Sequence, residues 1–202
     1  MATALLLAFV FACAAACGIA LAQVVCGHVE RLPGSPPEQR LHPGVPIAAC
    51  AVVGLVLGLR TATAPQILVS ALLCVPLCGA WYADARKGIV PDVFTLIPLA
   101  AIAFAVLIHH SWFVLVSAAV TGGAFGAAAL LSRGRGMGWG DAKLATLAGA
   151  LLGLPWSLGV LGVACLAATI VSAIRTRGTE PIAFAPYIVI AILADIGASV
   201  HA

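Results

Sequence analysis

The sequence predicts an all-α, polytopic integral membrane protein with about eight transmembrane helices, and three observations support this. Hydrophobic residues make up 63% of the chain and charged residues 8%, whereas a soluble domain carries about 25% charged residues. Mean hydropathy is +1.15. The apolar residues fall in runs separated by short polar breaks, and 202 residues leave room for about eight crossings of roughly 20 residues each and no separate soluble domain. A formal net charge of +3 is too small to suggest nucleic acid, so the bilayer is the partner that composition implies.

The first span covers 4–26. Its start, Met1-Ala2-Thr3, has no basic residue, and its apolar run outlasts the core of a cleaved signal. Ala20-Leu21-Ala22 therefore reads as part of a retained span. A polar loop at 27–43 holds His28, Glu30, Arg31, Glu38, Arg40 and His42, and a short second span follows at 45–59. The third, at 66–83, ends at Asp84, and a polar linker runs from 84 to 92. The fourth, 93–108, contains Pro98, tolerable where neighbouring helices satisfy the freed carbonyl. His109-His110-Ser111 turns into the fifth span, 112–131. After a glycine-rich stretch come the sixth at 141–152, a tight turn at Gly153-Leu154-Pro155, the seventh at 156–174 and the eighth at 182–200. The chain thus divides into 1–64, two helices with a short loop, and 65–202, a six-helix core.

The basic residues sort by loop. Arg31, Arg40, Arg86, Lys87, Arg133, Arg135, Lys143, Arg175 and Arg177 fall on one side of the eight-span arrangement, and the alternate loops hold only Arg60. The positive-inside rule then puts that side in the cytoplasm and both termini outside. Asp84 and Asp141 close the third span and open the sixth, so they lie at the same cytoplasmic depth and could face one another.

Seven cysteines, Cys13, Cys17, Cys26, Cys50, Cys74, Cys78 and Cys165, sit almost all inside apolar runs, and none forms a C-x-x-C pair. They read as small buried hydrophobes, with no metal site and no disulfide framework expected. The chemistry lies in Arg135-Gly-Met-Gly-Trp-Gly-Asp-Ala-Lys-Leu144. Gly136, Gly138 and Gly140 free the backbone or admit another chain, and Asp141 and Lys143 follow directly between two apolar segments. Two facing carboxylates share one proton, because both cannot ionise cheaply. The ionised one then accepts a proton from water while the other polarises a carbonyl. The same two acids also fit a plainer role as interfacial residues, Asp141 as a helix cap. Asp92, after Pro91, is a rival second acid that also suits a helix cap.

Three ordered elements resemble the type IV prepilin peptidases. Gly136-Met-Gly-Trp-Gly-Asp-Ala-Lys-Leu144 is similar to that family's G-x-G-D signature. Asp84-Ala-Arg-Lys-Gly-Ile-Val-Pro-Asp92 with Thr95-Leu96 is similar to its upstream aspartate element. Pro181-Ile-Ala-Phe-Ala-Pro186 is similar to the start of its last span. The resemblance implies that Asp84 and Asp141 are catalytic and need no cofactor. It also implies that Gly136, Met137, Gly138, Gly140, Lys143, Pro91, Thr95, Phe184 and Pro186 are motif or substrate-binding residues. The implied activity is an inner-membrane endopeptidase removing short basic leaders, after a glycine, from prepilins or pseudopilins, with its site at the cytoplasmic face. Bifunctional members carry a zinc-binding loop with two C-x-x-C pairs after the first span and also N-methylate the product. Here that position holds only the short loop, so peptidase activity without methylation is expected. The alternatives are a G-x-G-D intramembrane protease with another substrate, a small transporter, or an assembly scaffold using the same acids. Sequence leaves the oligomeric state open.

Overall fold

The computed structural model describes residues 1–27, 42–60, 62–131, 137–176 and 183–198. Among them the regular structure is all α-helix: α1 (Ala2–Gly27), α2 (Gly44–Leu59), α3 (Ala64–Lys87), α4 (Val93–His109), α5 (Trp112–Leu131), α6 (Trp139–Leu152), α7 (Trp156–Thr176) and α8 (Ala185–Ala198). In α1, α3, α5 and α7 the helix is long and apolar enough to cross a membrane, while α2, α4 and α8 are shorter apolar helices. Large apolar side chains such as Phe9, Leu72, Phe104, Val163 and Ile170 face outward, as a surface solvated by lipid requires. The chain is an all-α, polytopic membrane protein. The shortest elements, α6 and α8, have 14 residues each, about 21 Å of helix against a hydrocarbon core of about 30 Å.

The helix ends follow local chemistry. Thr63 starts α3, with Gln66 Oε1 accepting from its backbone N–H at 2.9 Å and from its hydroxyl at 2.9 Å, and Pro65 sits in the first turn, where a missing N–H costs nothing. Gly88, at φ 67°, closes α3 in the left-handed conformation that glycine adopts without strain. His110, at φ 54°, ends α4 where a turn was expected. Three boundaries differ from the sequence reading. Helix α3 runs through Asp84 to Lys87, so Asp84 lies a turn inside the helix and the linker shrinks to 88–92. The start of α6 moves back to Trp139, with Gly138 as its cap, and α8 begins at Ala185.

Small residues set the packing. Lipid supplies no hydrophobic drive between helices, so close backbone approach and dispersion contacts must hold them together. The tight pairs are α1 with α2 and α3, and α5 with α6. A Cβ on Gly54 would stand 2.6 Å from the Leu7 carbonyl oxygen, and one on Gly149 would stand 2.6 Å from that of Ser117. The hydroxyls on the α5–α6 seam bond their own helices, Thr121 to the Ser117 carbonyl at 2.7 Å and Thr146 to that of Ala142 at 2.8 Å. Between α2 and α3, Cys50, Cys74 and Cys78 are fully buried free thiols. Cys50 Sγ lies 3.3 Å from Cys78 Sγ.

The middle of the molecule has a specific order. Helix α8 packs on α2, α3, α6 and α7, and α4 packs on α3, α5 and α6, whereas α3 and α6 do not pack directly on each other among the described residues. The helices carrying the two aspartates are therefore joined through intermediaries. Arg60 donates to the carbonyls of Gly197 at 2.9 Å and Ala198 at 3.0 Å. This cation at the carbonyl end of α8 gives the one basic residue of the alternate loops a structural post.

Replacing Gly149 with valine would drive a side chain into the α5 backbone, while valine at Gly159 meets nothing within 4 Å. Gly149→Val should lose about 1–3 kcal/mol of stability and Gly159→Val little, as read by thermal unfolding in detergent. Equal melting of the two variants would contradict this packing.

Candidate active site

Asp84 has 7% of its surface exposed, in the C-terminal third of α3, where Cys74 and Leu77 through Ala85 are all buried. A carboxylate in such surroundings needs donors. They come from the start of α8: the Ala185 N–H donates to Asp84 Oδ2 at 2.9 Å, and the adjoining Phe184 amide also favours the charge of that carboxylate. These amides have no partner inside their own helix and carry the positive end of its dipole. Pro186 follows in the first turn, where proline costs α8 no hydrogen bond. The Phe184 ring stacks at 6.4 Å on both Phe125 and Tyr187, which anchors the backbone that holds Asp84.

Asp141 is the third residue of α6, and its half-buried carboxylate reaches back to accept the Gly138 N–H at 3.1 Å. The capping expected of it is present, one turn inside the helix. Its charge acts directly on Asp84. Two carboxylates from helices that do not pack together are thus near enough for the charge of one to bear on the other.

The remaining predicted residues divide by geometry. Gly138 has an ordinary extended backbone, φ −83° and ψ 156°, and a Cβ there would meet nothing closer than Asp141 Oδ2 at 3.5 Å. The fold does not demand glycine here, and the position is exposed beside Asp141. Gly140 is different: a Cβ would stand 2.9 Å from Val90 Cβ, so its role is close approach of the 88–92 linker and not unusual dihedrals. Met137 is half-buried at the mouth of the same turn. Gly136 and Pro181 lie outside the described residues.

Lys143 pairs with Asp92 Oδ1, not with Asp141. Two residues apart on a helix is about 200° of rotation, so Lys143 and Asp141 leave α6 on opposing faces. Asp92 stands at the N-cap of α4 but makes no side-chain cap; its carboxylate is spent on Lys143 instead. Thr95 is fully buried, its hydroxyl donating to the Asp92 carbonyl at 3.3 Å. The Pro91 carbonyl accepts the Phe94 N–H at 3.1 Å, so Pro91 and Thr95 shape the start of α4.

Sequence reasoning missed two features near Asp84. Tyr82 Oη accepts from Gln23 Nε2 at 3.3 Å and from Arg86 at 2.9 Å, bridging α1 to the last turn of α3. The buried Trp81 indole N–H, one turn before Asp84, has no hydrogen-bond partner among the described residues. Apolar patterning alone marks neither.

A family model described as the type IV leader peptidase family matches residues 67–173, more than half of the chain and inclusive of both aspartates. The chain belongs to the type IV leader peptidase family. The match covers α3 through most of α7 and ends before Phe184 and Ala185, so the α8 contribution to the leader peptidase site rests on the geometry above. No curated protein and no solved structure matches the chain.

If Asp141 holds its own helix start, replacements should separate structure from charge. Asp141→Asn keeps an oxygen acceptor for Gly138 and should melt close to wild type, whereas Asp141→Ala should lose about 1 kcal/mol. Thermal unfolding in detergent reads the difference, and identical melting of the two would contradict the contact.

Proposed function

We propose that this chain is an aspartic endopeptidase that removes short basic leaders from type IV prepilins or pseudopilins at the cytoplasmic face of the inner membrane. The observation that carries this reading is that the charge of Asp141 bears on buried Asp84 while each carboxylate accepts from a backbone N–H. Two carboxylates that repel one another in this way retain one proton between them. The ionised carboxylate takes a proton from water, which attacks the scissile carbonyl as the protonated carboxyl donates to its oxygen. The intermediate then collapses with proton delivery to the leaving amine. An extended substrate segment reaching the pair would meet exposed Gly138 and half-buried Met137 and Phe184.

Family membership supports the leader-peptidase class, and the asymmetry of the basic loops supports a cytoplasmic site. Those loops also attract anionic headgroups. The position of the family's zinc-binding loop holds only a short segment without paired cysteines, which supports cleavage without N-methylation and without a metal. A midplane transport site on broken helices fits less well, because both acids lie near helix ends.

The test is a gel-shift cleavage assay in membranes with a co-expressed prepilin whose leader ends in glycine. Asp84→Asn and Asp141→Asn should each reduce processing by about 10³-fold or more while the proteins stay folded and inserted. Asp195→Asn, toward the far end of α8, should process normally, and a chelator should leave wild-type cleavage intact with an unmethylated product. Retained cleavage in either aspartate variant would overturn the dyad, and loss of activity with chelator would overturn the metal-free mechanism.

A further inference from the structure

Because α3 and α6 do not pack directly among the described residues, the separation of their aspartates is set by the elements that touch both, α8 and the start of α4. The segment from Val90 to Phe94 touches both helices. On the α3 side, a Cβ on Gly79 would stand 2.5 Å from the Phe94 ring, so that ring lies flush against the α3 backbone, five residues before Asp84. On the α6 side, Val90 fills the space that a side chain at Gly140 would need, and Asp92 binds Lys143. Gly140 and Lys143 flank Asp141 in sequence on either side. Thr95, bonded to the Asp92 carbonyl through both N–H at 3.1 Å and hydroxyl at 3.3 Å, fixes the base of this segment.

We propose that residues 90–94 form a spacer that sets the Asp84–Asp141 separation, with the Asp92–Lys143 ion pair as the joint that fixes the rotation of α6. This rests on the dyad reading above and assigns Asp92, Lys143, Val90 and Gly140 a positioning role. An exposed ion pair adds little to stability, so the pair acts through register. Carboxylate geometry is sensitive to displacements of about 1 Å, which cost on the order of 10²-fold in rate. The spacer therefore acts on turnover and not on leader affinity.

Prepilin cleavage kinetics would be measured for Asp92→Asn, Lys143→Met, the double variant Asp92→Asn/Lys143→Met, and the charge swap Asp92→Lys/Lys143→Asp. Each single variant should lower kcat by about 10–100-fold with KM unchanged. The double should be no worse than either single, and the swap should recover most of the loss. In parallel, spin labels at Lys87→Cys and Trp139→Cys, with Cys13 and Cys17 replaced by serine, report the α3–α6 distance. Its distribution should shift or broaden in Lys143→Met and return in the swap. A rise in KM at constant kcat for Asp92→Asn would overturn the spacer in favour of a leader-binding acid. An unchanged label distance in Lys143→Met would overturn it too, even if wild type cuts no prepilin and the proposed function itself fails.

Discussion

A buried carboxylate held by the first amides of a neighbouring helix is the constraint on which the rest of this structure depends. Asp84 is almost fully enclosed, and without donors its charge would not be sustained there. The N-terminus of α8 supplies the Ala185 N–H and a favourable dipole,. That contact fixes where α8 begins and how deep it sits. Helix α8 packs on α6 as well as on α3.

Close packing by small residues makes this arrangement possible. The tight α1–α2–α3 and α5–α6 groups are each drawn together by glycines that leave no room for a side chain. Helices α4 and α8 lie between them, and Arg60 fastens the far end of α8 through the Gly197 and Ala198 carbonyls. The two aspartates thus come from different groups, joined through α4 and α8.

Much of this was legible from residue order. Apolar runs and their breaks located the helices to within a few residues, because lipid demands long apolar segments and polar punctuation. Asp84 and Asp141 stood out because a carboxylate beside an apolar span is costly. The ends of α3 and α6 were less legible: a single carboxylate looks like a boundary, yet helix geometry carried both acids inside. The partners were hidden for a different reason. Asp84 is held by the backbone N–H of Ala185, and no side-chain identity advertises a backbone donor. The Lys143–Asp92 pair spans 51 residues, a separation that no local sequence pattern marks. Gly140 was legible as glycine but not as the seat of Val90.

The most direct test of the account is whether positions 84 and 141 face each other in the native membrane. Asp84→Cys/Asp141→Cys would be treated in membranes with a short bifunctional thiol reagent, and the joined peptides identified by mass spectrometry. Asp141→Cys/Asp195→Cys serves for comparison, since Asp195 lies about 15 Å along α8 from the donor to Asp84. The account predicts a link between 84 and 141 and none between 141 and 195. Failure to join 84 to 141 in a folded, inserted protein, while either cysteine still reacts singly, would contradict it.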